Sequence, residues 1–173
     1  MPNARLQFSF RQRPQPERSG RDNITFLFSA NKNIPEQNVA DIASGGEIAR
    51  LMLALKALIS GSRNLPTVIF DEIDTGVSGT MAEKMANVML QMAQNCQVIC
   101  ISHLPQIAAR GHQHYRVYKE ESENGTASHI VRLSDEERIS ELAVMLSGRG
   151  DDPAALAAAR SLLQRDTDNT PTA

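Results

Sequence analysis

Ser44-Gly45-Gly46-Glu47, at the head of a long apolar run, and Val68-Ile69-Phe70-Asp71-Glu72, an apolar stretch ending in paired carboxylates, decide how this chain is read. Ser44 and Glu47 have the spacing of a capping box, in which the Ser side chain accepts an amide proton and the Glu reaches back to the cap. A cap does not explain the two glycines, each of which costs about 1 kcal/mol relative to Ala inside a helix. What Gly45 and Gly46 offer is bare backbone. The amides of the first helical turn can then approach a phosphate closely, and the helix dipole places partial positive charge there.

The second stretch supplies what phosphate chemistry needs beside such a cradle. Asp71 can hold Mg²⁺, and Glu72 can orient and deprotonate an attacking water. Standing alone, the pair is equally well a strand-end turn. A second apolar strand, Gln97-Val98-Ile99-Cys100-Ile101, ends in Ser102-His103, where a donor could meet a transferring phosphoryl group. Strand, helix and strand in this order imply a parallel crossover, with both polar ends on the carboxyl edge where open α/β sheets bind ligands.

The series of Ser-Gly-Gly-Glu helix, strand with Asp71-Glu72, Asp74-Thr75-Gly76-Val77-Ser78-Gly79 and Ser102-His103 resembles the signature, Walker B, D-loop and switch-histidine motifs of ABC-type ATPases. More narrowly, Ile42 to Arg50, Phe70-Asp71-Glu72-Ile73-Asp74 and Ser102-His103-Leu104-Pro105-Gln106-Ile107-Ala108-Ala109 resemble the C-terminal ATPase lobe of the RecN family, bacterial DNA-repair proteins related to SMC proteins. The resemblance runs from about residue 4 to residue 163 and weakens at the basic, Pro-containing stretch Arg11 to Arg21.

The resemblance implies ATP and Mg²⁺ as cofactors. Asp71 would belong to the metal shell, Glu72 would polarise the water and His103 would contact the γ-phosphate. Ser44, Gly45, Gly46 and Glu47 would meet a nucleotide held by a second protomer, with Asp74 at that dimer seam. The implied partners are an N-terminal P-loop lobe, a second protomer in an ATP sandwich, and DNA. Transporter domains of this class usually carry Pro after the Walker B Glu, where Ile73 stands here, and a Gln-rich signature where Glu47 stands. Those differences favour the SMC side, with chromosome organisation as an alternative to repair. A non-catalytic module on the same fold is the further alternative, and the intact Asp71, Glu72 and His103 argue against it.

No Gly-x-x-x-x-Gly-Lys-Ser/Thr segment occurs, so the chain carries half of such a site. Nor is there a long heptad segment. The expected fold is a mixed α/β sheet with flanking helices, the C-terminal lobe of a P-loop ATPase head without its P-loop. Residues 1–165 form the expected lobe and residues 166–173 a polar tail.

With 173 residues, 41% hydrophobic and 22% charged, the chain is long enough for a core. A net charge of −2 provides no global attraction for nucleic acid. Arg5, Arg11, Arg13, Arg18 and Arg21 form the one basic patch, read as a solvated edge because no aromatics are interleaved for stacking. No apolar run spans a bilayer, and a cytoplasmic, nucleoid-associated location is expected. Cys96 and Cys100 read as reduced thiols, and His112 and His114 as no metal site.

Further elements follow from periodicity. Leu6, Phe8 and Phe10, and Ile24, Phe26 and Phe28, alternate as two half-buried strands, with a loop from Asn31 to Ala40. The signature helix, Ser44 to Ser60 with Gly61 beyond its end, should bury Ile48, Leu51, Met52, Leu55, Leu58 and Ile59. Met81, Met85, Val88, Met89 and Met92 read as a core stripe on a helix from Thr80 to Gln94. A hairpin turning at Asn124-Gly125, a capped helix from Ser134 to Gly148 and an Ala-rich helix opened by Asp152-Pro153 complete the chain.

Overall fold

The computed structural model describes residues 3–42, 45–60, 65–122 and 125–164. The chain forms two compact units, Met1–Met52 and Leu53–Ala173. In the first, β1 (Arg5–Glu17) and β2 (Gly20–Ser29) make an antiparallel hairpin, and the short β3 (Gln37–Asn38) joins the edge of β2. Within the expected loop, β3 runs into a 3-10 turn, Val39–Asp41, capped by the Asn38 side chain at 3.1 Å from the Ala40 amide.

Hairpin register pairs Leu6 with Phe28, Phe8 with Phe26 and Phe10 with Ile24, so the alternating apolar residues share one face. Phe8 and Phe26 meet edge to face, 5.0 Å between centroids. Only Phe28 is buried; Phe10 is 70% exposed. The strands are therefore where periodicity put them, but their apolar face is mostly open among the described residues. At the distal end Pro14 and Pro16 cannot donate to the ladder, and the pairing is irregular between Gln12 and Glu17. There Arg13 pairs with Glu17, and the Arg21 Nε–H donates to the Arg13 carbonyl.

Helix α1 (Gly45–Ser60) crosses from the first unit into the second. Its second half packs through Leu53 and Ala57, one turn apart, with Ser60 buried a further turn on. Leu51 is buried as expected, but Met52, Leu58 and Ile59 are exposed. The expected buried face is thus only partly realised, because the described chain packs one stripe of a helix that is apolar nearly all round. Ser44 and Gly61, and with them the proposed capping box, lie outside the described residues.

The second unit holds the parallel pair β4 (Thr67–Asp71) and β5 (Gln97–Ile101), in register from Thr67–Gln97 to Asp71–Ile101. Helix α2 (Gly79–Ala93) links them. Its Met85, Met89 and Met92 are buried in a core with Leu53, Val68, Phe70, Val77 and Ile107, as the methionine spacing indicated. The opposite sheet face, with Ile69, Ile99 and Ile101, is exposed. Parallel strands are ordinarily covered on both faces, so half of this sheet's apolar surface has no cover within the described residues.

Beyond the one-turn helix α3 (Pro105–Ala108), β6 (Tyr115–Ser122) and β7 (Gly125–Arg132) form the second hairpin; Asn124 of its turn lies outside the described residues. Helix α4 (Asp135–Ser147) has the full capping box, Ser134 accepting from the Glu137 amide at 3.3 Å and Glu137 accepting from the Ser134 amide at 2.8 Å. Hydrogen bonding to its carboxyl, from the Ser134 amide first and the Ser134 side chain second, holds Glu137 below its usual pKa. Gly148, at φ 77°, ends the helix in the left-handed conformation that a Cβ would disfavour. The Asp152 carboxylate accepts from the Ala154 amide at 3.1 Å and opens α5 (Pro153–Gln164). Leu142 and Ala143 pack on Ala109, Ala155 and Ala159 as a second small core. The tail 166–173 lies outside the described residues.

Arg138 ties α4 back to the loop after α3, donating to the carbonyls of Ala109 at 3.3 Å and Gly111 at 2.6 Å. Beside it His114 is half-buried, and burial first, then the Arg138 charge, lowers its pKa against a smaller opposing pull from Glu141. An unfolded chain takes up this proton near pH 6.5 while the folded chain withholds it, so the unfolded state gains as pH falls. Stability is therefore expected to decline as pH drops through about 6.5, and His114→Gln to flatten that part of the profile in urea melts recorded across pH.

Candidate functional site

Parallel pairing of β4 with β5 brings the ends of both strands together. Beyond Asp71 the ladder gains one more bond, from the Glu72 amide to the Ile101 carbonyl at 3.1 Å. The chain then turns sharply. Glu72 has φ 46°, the only non-glycine residue with positive φ among the described residues. An L side chain in this region costs about 1–2 kcal/mol, and Glu is not among the residues that tolerate it best. The turn is closed by the Thr75 hydroxyl donating to the Glu72 carbonyl at 3.0 Å and by the Val77 amide donating to the Asp74 carbonyl at 3.0 Å. Gly76, at φ 71°, accommodates the bend between them.

This turn carries Asp74 to 1% exposure. Its Oδ2 accepts from the Ser102 hydroxyl at 2.6 Å and the His103 amide at 3.3 Å, and lies 3.6 Å from the His103 Nδ1. Ser102 Oγ in turn accepts from the Leu104 amide at 3.0 Å, setting up the start of α3. Oδ1 of Asp74 is buried without a hydrogen-bond partner among the described residues. One unsatisfied buried acceptor costs about 1–3 kcal/mol, which marks the carboxylate as more than a packing element. Its charge also reaches Cys100, whose thiol is pushed up to about 11 by burial first and Asp74 second.

The side chains expected to face a nucleotide remain accessible: Asp71 and Glu72 are exposed, and the His103 ring is 66% exposed. The second unit thus gathers Asp71, Glu72, Asp74 and His103 at one sheet edge, while Gly45, Gly46 and Glu47 open α1 in the first unit. At Gly45 an added Cβ would meet nothing within 4 Å. Among the described residues no packing demands glycine there. Asp71 suits Mg²⁺, which takes one or two protein carboxylates and completes its octahedron with water and phosphate oxygens. Among the described residues no group of three or more His, Cys, Asp or Glu forms a ready-made metal cage.

Sequence reasoning expected Asp74 at a dimer seam and missed its buried role toward Ser102 and His103. A signal was present: Ser102 two residues before Leu104 and three before Pro105 is the pattern of a hydroxyl turn at a helix start. Nothing signals the positive φ of Glu72. Replacing this residue by glycine relieves the strain at some cost in chain entropy, so Glu72→Gly is expected to raise the urea midpoint, by about 1 kcal/mol in stability. A lower midpoint would show that the Glu72 side chain contributes more than its backbone costs.

No family model matches the chain. It is 40% identical over 163 residues to the DNA repair protein RecN of Deinococcus radiodurans, covering 94% of this chain and 28% of that protein. It is also 40% identical over 145 residues to RecN of Haemophilus influenzae, covering 84% of this chain and 26% of that one. The chain thus spans a little over a quarter of these curated relatives, 28% and 26%. Among solved structures, the Smc head domain of Pyrococcus yayanosii aligns with 96% of this chain and 26% of that one at TM-score 0.61 and 19% identity. That of Pyrococcus furiosus aligns with 84% of this chain and 34% of that one at TM-score 0.59 and 20% identity. The fold matches part of SMC-type head domains, and over nearly its whole length the chain belongs by sequence similarity with one segment of the RecN repair proteins.

Proposed function

We propose that this chain is the C-terminal lobe, residues 1–165, of an ATP-hydrolysing SMC-like head that serves DNA double-strand-break repair and recombination. The observation that carries the reading is the convergence of Asp71, Glu72 and His103 at the carboxyl edge of β4 and β5, in a chain 40% identical to RecN proteins. An SMC-type chromosome organiser is the second reading, favoured by the solved neighbours, which are Smc heads. Both readings use the same chemistry, and the closer sequence relatives favour repair.

In this mechanism the strand-end Asp71 would hold the metal shell, and Glu72 would take the proton from the attacking water. Mg²⁺, when bound, neutralises charge developing on the phosphate oxygens. His103 contacts the γ-phosphate from the second strand end. The bare amides of Gly45 and Gly46, with Ser44 and Glu47, receive a nucleotide seated on the P-loop of the opposite protomer. A closed pair of heads would be held by contacts that exist only with the γ-phosphate present, so hydrolysis reopens it. An SMC protein among the solved neighbours is described as undergoing ATP-driven dimerisation and DNA-stimulated activation. That behaviour fits a head whose site is completed across a seam.

The open faces of the β1–β2 hairpin and the β4–β5 pair fit coverage by a P-loop lobe, which this chain lacks. No helix among the described residues is long and apolar enough to cross a membrane.

The chain alone is expected to release no phosphate from ATP above background, and mixing it with a P-loop lobe to restore turnover in a phosphate-release assay. In that reconstituted head Glu72→Gln should abolish turnover while calorimetry still detects ATP binding, because the amide keeps the size but cannot act as a base. Hydrolysis by the 173-residue chain alone, lost in that variant, would mean the site needs no second lobe.

Gly45→Ala separates the two demands on the signature helix. It should stabilise the chain by about 0.5 kcal/mol in urea melts, yet weaken ATP-dependent association of heads followed by light scattering. Unchanged association would remove Gly45 from the seam.

A further inference from the structure

We infer that Asp74 is a positioning residue for His103, fixing both the backbone that carries the ring and the nitrogen that bears its proton. The functional consequence rests on the phosphate-facing role proposed for His103, whereas the tautomer itself does not. Three contacts converge on one buried oxygen. Asp74 Oδ2 accepts from the Ser102 hydroxyl at 2.6 Å and from the His103 amide at 3.3 Å, which pins the two residues directly after β5. The same oxygen lies 3.6 Å from His103 Nδ1, with the carboxylate 1% and the imidazole 66% exposed.

The geometry sets an electrostatic preference. Oδ2 already accepts from two donors, and a carboxylate has only acceptor capacity to offer a third group. A neutral ring placed against it keeps its proton on Nδ1, since the other tautomer would aim a lone pair at the anion. Which nitrogen of a histidine is protonated is set by the partner of the other, and here the partner comes from the turn that also bears Glu72. Nε2 has no partner among the described residues and remains the atom available to an incoming group. Asp74 thereby joins the carboxylate-bearing turn to the histidine-bearing strand end.

The test reads the ring directly. In the full chain labelled with ¹⁵N-histidine, long-range proton–nitrogen spectra at alkaline pH identify the tautomer of each neutral ring, and His103→Gln assigns the signal. Wild-type His103 is expected in the Nδ1–H form, opposite to the Nε2–H form that exposed histidines prefer. Asp74→Ala should switch it to Nε2–H, and Ser102→Ala should leave it Nδ1–H because the carboxylate remains. A wild-type ring in the Nε2–H form overturns the inference without any variant, so it stays testable if Asp74→Ala does not fold. An unchanged tautomer in folded Asp74→Ala, or its loss in Ser102→Ala, overturns it equally. Hydrolysis plays no part in this readout. Failure of the Glu72→Gln experiment would therefore leave it standing, and the reverse also holds.

Discussion

One backbone hydrogen bond, from the Glu72 amide to the Ile101 carbonyl, extends the parallel ladder a residue past Asp71 and thereby fixes where the two strand ends stand. Everything chemical in the second unit depends on that extension. It forces the chain to turn at Glu72 with φ 46°, and the turn lowers Asp74 into the protein, where it binds the residues that follow β5. The core beneath, built on Val68, Phe70 and the methionines of α2, holds the strands in place. Register is strongly specified when one face is buried, because a slip by one residue would invert every side chain.

Much of this architecture was legible in the residues. Apolar runs bounded by Pro66 and by Asp71-Glu72 located β4; the methionine spacing located α2; Ser134 with Glu137, and Gly148, bounded α4 within a residue. These signals are local, and local chemistry enforces them. Burial was less legible. Met52, Leu58 and Ile59 on α1, and Phe10 and Ile24 on the hairpin, are apolar residues that the described chain leaves exposed. Periodicity reports which residues want cover, whereas cover depends on what else is present to supply it. The same distinction applies at the site. The residue types of Asp71, Glu72 and His103 were readable in order, but the inward turn of Asp74 arises from long-range pairing that no short window contains.

The two halves of the proposed nucleotide site differ in how they are held. Asp71, Glu72 and His103 are fixed by a ladder and a buried carboxylate within a few residues of one another in space. Among the described residues a Cβ at Gly45 would meet nothing within 4 Å. One half is preorganised by its own fold, and the other is shaped by the absence of a side chain. In the proposed site the strand ends would supply electrostatic stabilisation and the bare helix start close approach.

Cys100 lies on β5 two residues before Ser102, and its thiol is raised to about 11 by burial and by the Asp74 charge. Peroxides and electrophiles attack the thiolate, not the thiol. At neutral pH the Cys100 sulfur is therefore held as the thiol. Burial, with a smaller contribution from the carboxylate that organises the strand ends, thus favours the less reactive thiol form of Cys100.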